Sequence, residues 1–187
     1  MEFGQRIAKR IKNRQMTYPI GSAARMIRVA RDEIGVAETG DNLVKYNNEN
    51  GLPWCGYFID WVAKRAGVKK LPSQISTIQG AHKMKEFGCW VDGEPASGDL
   101  VYMGWGAKNA IEHIGLVVGI IDKKTVLTIE GNTSGSGSQA NGGMVMVKER
   151  TIGKEIIGFA RPKYLAFDGE YPKVERPSSG VKPKGKK

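Results

Sequence analysis

Apolar residues in the first half of the chain recur at the three- and four-residue spacing of amphipathic helices. One such segment begins after Ser22, a residue type that often caps helix N-termini, and ends before Gly35. Its Ile27, Ala30 and Ile34 form a stripe that we expect to be buried. The pattern therefore predicts a helix that runs from just after Ser22 to about Ile34.

A second helix is predicted between two residues that mark helix ends. Pro53 is suited to the start of a helix and Gly67 to the position just past its end. Between them, Phe58, Val62 and Ala66 share one face. A short basic amphipathic helix near the N-terminus and a further helix complete the set; the predicted helices span residues 3–13, 23–34, 54–66 and 77–87.

After Gly93 the pattern changes to short runs rich in β-branched and aromatic residues, which is typical of strands. The strands are predicted at residues 99–103, 113–121, 125–130, 143–147 and 156–160. Residues 122–124 read as a hairpin turn, and the Gly- and Ser-rich stretch 131–143 as a mobile loop. Helices followed by a run of consecutive strands indicate an α+β fold with an antiparallel sheet.

The 187 residues are enough for one domain with short extensions. We place a basic extension at 1–21, a globular domain at 22–162 and a basic tail rich in Pro, Lys and Gly at 163–187. The polar composition of the tail predicts disorder.

The net charge of +10 is concentrated at the two ends of the chain, with +4 in residues 1–21 and +3 in residues 168–187. A nucleic-acid-binding domain more often carries its charge on a folded face with interleaved aromatic residues, so no nucleic-acid partner is predicted. Two interpretations of the basic ends remain. Their charged side chains are either simply exposed to solvent, or they dock onto a partner or an anionic surface.

Several classes of protein and site are disfavoured by the sequence. No apolar run approaches the ~20 residues of a membrane-spanning helix, and the charges of the N-terminus alternate with apolar residues, unlike a secretory signal peptide. The two cysteines do not make a disulfide framework, and their order with the two histidines matches no zinc motif. No metal or cofactor is predicted.

Cys55 is the candidate nucleophile. It falls in the first turn of a predicted helix, where unpaired backbone N–H groups and the helix dipole stabilise an anion and so lower the pKa of a thiol. The other cysteine, Cys89, lies between Gly88 and Trp90 without such a setting, and we expect it to be a packing residue.

A nucleophilic cysteine needs a base, and two histidines are available. His82 lies within a predicted helix and is expected at its surface. His113 begins an apolar strand, and the hairpin that follows brings residues 130–133 opposite it. Glu130 and Asn132 fall in this range, where the carboxylate can hold the imidazole and the amide can orient the ring or polarise a substrate carbonyl. Ordinary turn chemistry is the alternative explanation for this pair.

Four segments in this order resemble the CHAP domain, the cysteine, histidine-dependent amidohydrolase/peptidase domain with a papain-like fold. They are Trp54-Cys-Gly-Tyr-Phe-Ile59, Ser97-Gly-Asp-Leu-Val-Tyr102, His113-Ile-Gly-Leu-Val-Val118 and Ile129-Glu-Gly-Asn132. The resemblance covers about residues 22–162 and implies N-terminal helices packed on a five- to six-stranded antiparallel sheet. It implies Cys55 as nucleophile, His113 as base, Glu130 and Asn132 as the supporting polar pair and Asp99 as a structural turn residue.

The resemblance also implies a function and a substrate. Domains of this kind hydrolyse peptidoglycan, as an N-acetylmuramoyl-L-alanine amidase or as an endopeptidase. Trp54 and Trp105 are expected to face the peptidoglycan of the bacterial cell wall. The alternative for Trp54 is a position in the hydrophobic core. Some members bind calcium before the cysteine; the oxygen donors here, at Asp41, Asn47, Asn48 and Glu49, lack the spacing of a calcium loop.

The lack of a signal peptide suggests a phage lysin. Such an enzyme is expected in the host cytoplasm before holin-mediated release, or in the virion tail. The alternative is a non-enzymatic virion tail or wall-binding protein with the same fold. In either case the basic ends would contact anionic wall polymers or other virion proteins.

Overall fold

The helices come first along the chain and the strands follow, as the hydrophobic pattern predicts. The computed structural model describes residues 18–106, 110–135 and 142–177. The helices within these residues are α1 (Ala23–Asp32), α2 (Cys55–Ala66) and α3 (Thr77–Glu86). The strands are β1 (Leu100–Met103), β2 (His113–Asp122), β3 (Thr125–Thr133), β4 (Met144–Thr151) and β5 (Ile156–Ala160). The predicted helix over residues 3–13 lies outside the described residues.

The five described strands form one antiparallel sheet in the order β4-β3-β2-β1-β5. The predicted hairpin turn joins β2 to β3, with Asp122 paired to Thr125. The α+β fold with a five-stranded antiparallel sheet is therefore confirmed.

Helix α1 begins where the sequence predicts and ends earlier. Ser22 caps it, since its hydroxyl oxygen accepts a hydrogen bond from the N–H of Arg25 at 3.2 Å. Ile27 and Ala30 are buried as predicted, but Ile34 lies beyond the end of the helix and is exposed. The prediction for Ile34 is wrong because the chain leaves the helical path about one turn before Gly35.

Helix α2 has nearly the predicted bounds and carries the buried face that the sequence indicates. Gly67 ends it in the left-handed conformation with φ 80°, and Phe58, Val62 and Ala66 are buried. This face packs against β2 and β3, which places the start of α2 close to the strands that carry His113 and Glu130.

Side chains of the sheet alternate between two faces, and each face has its own apolar cluster. The helices cover one face, in a cluster that includes Leu100, Tyr102, Ile114, Leu116 and Ile129. The opposite face carries a smaller cluster of Val101, Met103, Val117, Val126 and Phe159. By the alternation of side chains along β2 and β3, His113 and Glu130 lie on the same face of the sheet as the smaller cluster. They are at the end of the sheet where β2 begins.

Strand β3 continues past the predicted end at Glu130 and includes Gly131 to Thr133. The backbone of Gly131 packs closely against α2, since a Cβ atom added there would lie only 2.6 Å from the Cβ of Phe58. The prediction of a mobile loop over 131–143 is thus wrong for its first residues, which are buried strand. Residues 136–141 of that stretch lie outside the described residues.

Residues 163–177 pack along the domain, so the prediction of disorder is wrong for this part of the tail. The hydroxyl of Tyr164 donates to the carbonyl oxygen of Gly98 at 2.6 Å, and Arg176 pairs with Glu149 at 2.7 Å. Pro172 is buried. A composition-based argument misses these few anchors, since each depends on a partner far away in the chain. Residues 178–187 lie outside the described residues.

Within the described part of the chain, no helix combines the length and the apolar character needed to cross a membrane.

Candidate active site

Cys55 is the first residue of α2, and its side chain is almost fully buried. Hydrogen bonding with the side chain of His113 and with the backbone N–H groups of Gly56 and Ile114 lowers the pKa of its thiol. The N–H groups of a first helical turn have no acceptor within the helix, so they are free to stabilise a thiolate. The structure thus places this thiol where its anion is favoured.

The electrostatics of Cys55 and His113 favour an ion pair. Burial raises the pKa of the Cys55 thiol, but the hydrogen bond and positive charge of His113 outweigh it, and the net pKa is lowered. Burial lowers the pKa of His113, while Cys55 and Glu130 raise it more, to about 9. Both shifts favour thiolate and imidazolium at neutral pH.

His113 is the first residue of β2, paired with Met103 of β1, and it is buried. Its Nε2 lies 3.1 Å from Oε2 of Glu130. Because this nitrogen faces the carboxylate, Nδ1 is the ring nitrogen that remains for the thiol of Cys55. The imidazole therefore lies between the sulfur and the carboxylate. In this arrangement the thiol is the nucleophile, the imidazole is the base, and the carboxylate orients the base.

Glu130 is completely buried and is surrounded by donors. The hydroxyl of Thr128 donates to Oε1 at 2.6 Å, and the guanidinium of Arg150 donates to both carboxylate oxygens. Burial raises the pKa of Glu130, but the hydrogen bonds and charges of Arg150 and His113 hold it well below its usual range. Glu130 is therefore a carboxylate at all physiological pH values.

Sequence reasoning missed Arg150. The strand that carries it was predicted to end at residue 147, whereas β4 continues to Thr151 and pairs Arg150 with Val126. One signal was available: a carboxylate buried inside a hairpin needs a cationic or hydrogen-bonding partner. The sequence could not say which of the many basic residues supplies it.

Two glycines leave the room that this site needs. A Cβ at Gly115 would lie 2.8 Å from Cγ of Glu130, so the bare backbone of β2 makes space for the carboxylate side chain. A Cβ at Gly56 would lie 2.0 Å from the carbonyl oxygen of Gln74, whose segment crosses the start of α2. That segment is held by Asp60, which accepts from the N–H of Gln74 at 2.8 Å and from the hydroxyl of Ser73.

Asn132 is buried and adopts the left-handed conformation, with φ 54°. The pairing of β3 with β4 is irregular between Glu130 and Thr133. Strict alternation, which would put Glu130 and Asn132 on the same face of a strand, therefore does not hold across this stretch. The role of Asn132 in orienting the ring or the substrate stays a prediction.

The two candidate substrate-binding tryptophans have different environments. Trp105 is 45% exposed, and its ring lies 5.9 Å from that of His113. Trp54 is fully buried, and its indole N–H donates to Glu38 at 3.1 Å. The prediction that Trp54 faces the substrate is wrong, because α2 and the neighbouring Tyr46 enclose its ring in the core.

The remaining histidine and cysteine lie outside this cluster. His82 is exposed on α3, and Cys89 is buried with its thiol 3.6 Å from the carbonyl oxygen of Phe87. Both cysteines are free thiols.

One oxygen donor of the loop before Cys55, the side chain of Asn47, is engaged within the loop. The amide nitrogen of Asn47 donates to the carbonyl oxygens of Asn42 and Leu52 at 2.8 Å each, and its Oδ1 accepts from the N–H of Glu49. Asn47 is buried by these contacts and serves the loop itself. Among the described residues, no group of three or more His, Cys, Asp or Glu side chains is arranged to hold a metal ion.

Comparison with known proteins gives one match. Residues 47–132 match the family model of the CHAP domain, and this range contains Cys55, His113 and Glu130. The chain matches no curated protein and no solved structure. Residues 47–132 therefore match a CHAP domain, which supports a cysteine- and histidine-dependent amidohydrolase or peptidase of the peptidoglycan-hydrolase type.

Proposed function

We propose that this protein hydrolyses an amide bond of bacterial peptidoglycan with Cys55 as the nucleophile and His113 as the acid and base. The observation that carries the proposal is the continuous chain of contacts from the sulfur of Cys55 through His113 to Glu130. A buried ion pair at a helix start, next to an exposed aromatic residue, suits acyl transfer from a polymer substrate.

The first half of the reaction forms a thioester. The thiolate of Cys55 attacks the amide carbonyl carbon, and the carbonyl oxygen becomes an oxyanion. The backbone N–H of Cys55, at the helix start, is a suitable donor to that oxyanion. The imidazolium of His113 then gives its proton to the leaving amine, and the carbon–nitrogen bond breaks.

The second half releases the acyl group. Neutral His113 takes a proton from a water molecule, whose oxygen attacks the thioester carbonyl. The carbon–sulfur bond breaks, the carboxylic acid product leaves, and the thiolate and imidazolium are restored. Glu130 stays ionised throughout and stabilises the imidazolium that the cycle begins and ends with.

Trp105 supports the choice of a polymer substrate. Its ring lies beside His113 and is exposed, whereas Cys55 and His113 are almost entirely buried. A planar apolar ring at the entrance to a buried nucleophile is a suitable platform for a sugar or peptide. The same chemistry serves the sugar–peptide amide and a peptide cross-link. The choice between the two, and the phage origin, stay predictions.

Purified cell walls provide the test. We expect wild-type protein and Cys89→Ala to clear a wall suspension under reducing conditions, and Cys55→Ala to leave it turbid. Mass spectrometry of the released fragments identifies the bond that is cut. Equal clearing by wild type and Cys55→Ala, or clearing by neither, would contradict the proposal. Wall binding without cleavage by folded wild type would support the non-enzymatic alternative.

A further inference from the structure

Arg150 extends the chain of contacts by one more charged group. Only 7% of its side chain is exposed, and its Nε lies 2.8 Å from Oε1 of Glu130. Its guanidinium carbon lies 5.3 Å from the centre of the Trp105 ring, the same ring that lies against His113. Arg150 therefore contacts the candidate site both through the carboxylate and through the aromatic residue.

The charges along this line alternate in sign. Thiolate Cys55, imidazolium His113, carboxylate Glu130 and guanidinium Arg150 carry two negative and two positive charges in the same buried cluster. Other charged groups near the cluster are Lys148, which faces it from β4, and Glu155, 3.9 Å from Arg150. A neutral total is important, because a net charge is costly in a buried site.

We propose that Arg150 is a positioning residue that holds Glu130 in place and compensates its charge, and that it thereby maintains the thiolate–imidazolium pair of Cys55 and His113. The importance of Arg150 for catalysis rests on the proposed function. The geometric basis is the two-point contact between guanidinium and carboxylate, which fixes the orientation of the group that the imidazole faces.

Removal of Arg150 alone leaves one uncompensated negative charge in the buried cluster. The cluster then regains neutrality by taking up a proton. A thiolate is intrinsically far more basic than a carboxylate, so the proton goes to Cys55. The expected signature is a loss of thiolate near neutral pH while the fold is retained.

The direct measurement is a titration of the Cys55 thiolate by its ultraviolet absorbance and by its rate of alkylation, in a Cys89→Ala background. Cys55→Ala supplies the blank. In Arg150→Gln we expect the apparent pKa of Cys55 to rise and the alkylation rate near neutral pH to fall about tenfold. In Arg150→Lys, which keeps the charge, we expect a smaller change.

Arg176 provides a matched control. It makes the same two-point contact with a carboxylate, Glu149, but on the exposed surface of the same sheet. Arg176→Gln should leave the Cys55 titration unchanged. An unchanged titration in folded Arg150→Gln as well would overturn the proposal.

A double-mutant comparison shows whether Arg150 acts through Glu130. In a Glu130→Gln background, the further change Arg150→Gln should have a smaller effect on the Cys55 titration, because no carboxylate is left for the guanidinium to hold. An effect of the same size as in the presence of Glu130 would overturn the proposal. If Arg150→Gln alone does not fold, Arg150→Lys replaces it in both backgrounds, because it keeps the buried charge but loses the planar two-point contact with Glu130.

The titration needs no peptidoglycan, so the two proposals fail separately. A protein that does not cut walls, but whose thiolate depends on Arg150 as described, contradicts only the proposed function. Wall clearing with a thiolate that is indifferent to Arg150 contradicts only the role of Arg150.

Discussion

The imidazole of His113 and the carboxylate of Glu130 lie 3.1 Å apart and are both buried, although 17 positions separate them in the chain. The β2–β3 hairpin brings them together. Because Gly115 has no side chain, there is room next to it for the side chain of Glu130. This one relationship orients the ring towards Cys55 and raises the affinity of His113 for a proton. Substitutions around this pair and changes of pH should therefore alter activity and stability in defined directions.

The rate of hydrolysis should have a broad optimum around neutral pH. The pKa of Cys55 is lowered and that of His113 is raised to about 9, so the ion pair exists between these two values. As the pH rises through about 9, His113 loses the proton that the leaving amine requires, and kcat/KM should fall. A pH–rate profile on purified walls measures this limb. A rate that keeps rising above that pH would contradict it.

Folding stability should fall on acidification through Glu130, while on the alkaline side the contribution of His113 is opposed by that of Cys55, whose pKa is lowered on folding. The pKa of His113 rises on folding from 6.5 to about 9, so its contribution is complete below pH 6.5 and is lost as the pH rises to about 9. The pKa of Glu130 falls on folding from 4.5, so its contribution is present above pH 4.5 and is lost on further acidification. Denaturant unfolding across this range is the measurement. In Glu130→Gln the loss of stability on acidification should be smaller than in wild type.

Gly115→Ala should lower activity by displacing Glu130. The added Cβ would lie 2.8 Å from Cγ of Glu130 and 3.4 Å from Val101, so the carboxylate must move. Overpacking of this kind typically costs about 1–3 kcal/mol of stability. Gly119→Ala in the same strand is the matched control, because its Cβ would meet Leu127 at an ordinary 3.6 Å. Equal activities of the two folded variants would contradict the argument.

The two tryptophans should respond differently to substitution. Trp105→Ala removes an exposed ring and should raise KM for wall fragments with little change in Tm. Trp54→Phe removes the N–H that donates to Glu38 and part of a buried ring, and should destabilise the fold by about 1–3 kcal/mol. Thermal melts and steady-state kinetics separate the two effects. A KM effect confined to Trp54→Phe would reverse the assignment.

Asp99 should contribute to stability and not directly to chemistry. Its buried carboxylate accepts from Arg161 at 2.7 and 2.9 Å and from the N–H of Ala96 at 2.8 Å, which ties the turn before β1 to the chain after β5. Asp99→Asn should cost about 1–3 kcal/mol. Asp32→Asn, which breaks an exposed pair with Arg28, should change stability by less than about 0.5 kcal/mol. Urea unfolding of both variants provides the comparison.

Much of the scaffold of the site follows from local sequence patterns. Pro53 and Gly67 bound a helix whose apolar stripe could face only the core, and Cys55 therefore had to lie in its first turn. The short turn after Asp122 determines the register of the hairpin within a few residues, which was sufficient to bring Glu130 near His113. These features depend on residues close together in the chain, where spacing alone predicts structure.

Contacts between distant segments could not be predicted in this way. The bulge at Asn132 breaks the alternation of β3, the side chain of Trp54 points into the core, and residues 163–177 find partners on α1, β4 and the turn before β1. Arg150 is the clearest case, because any of several basic residues could satisfy a buried carboxylate in principle. Its place opposite Val126 in a longer β4 decides the matter.

The sequence by itself determined which elements form and where a reactive thiol begins a helix, because helix caps, turns and hydrophobic periods act over a few residues. Only the tertiary structure decided which charges share the buried end of the sheet. Burial makes an uncompensated charge costly, so the identity of each partner depends on the packing of strands far apart in the chain.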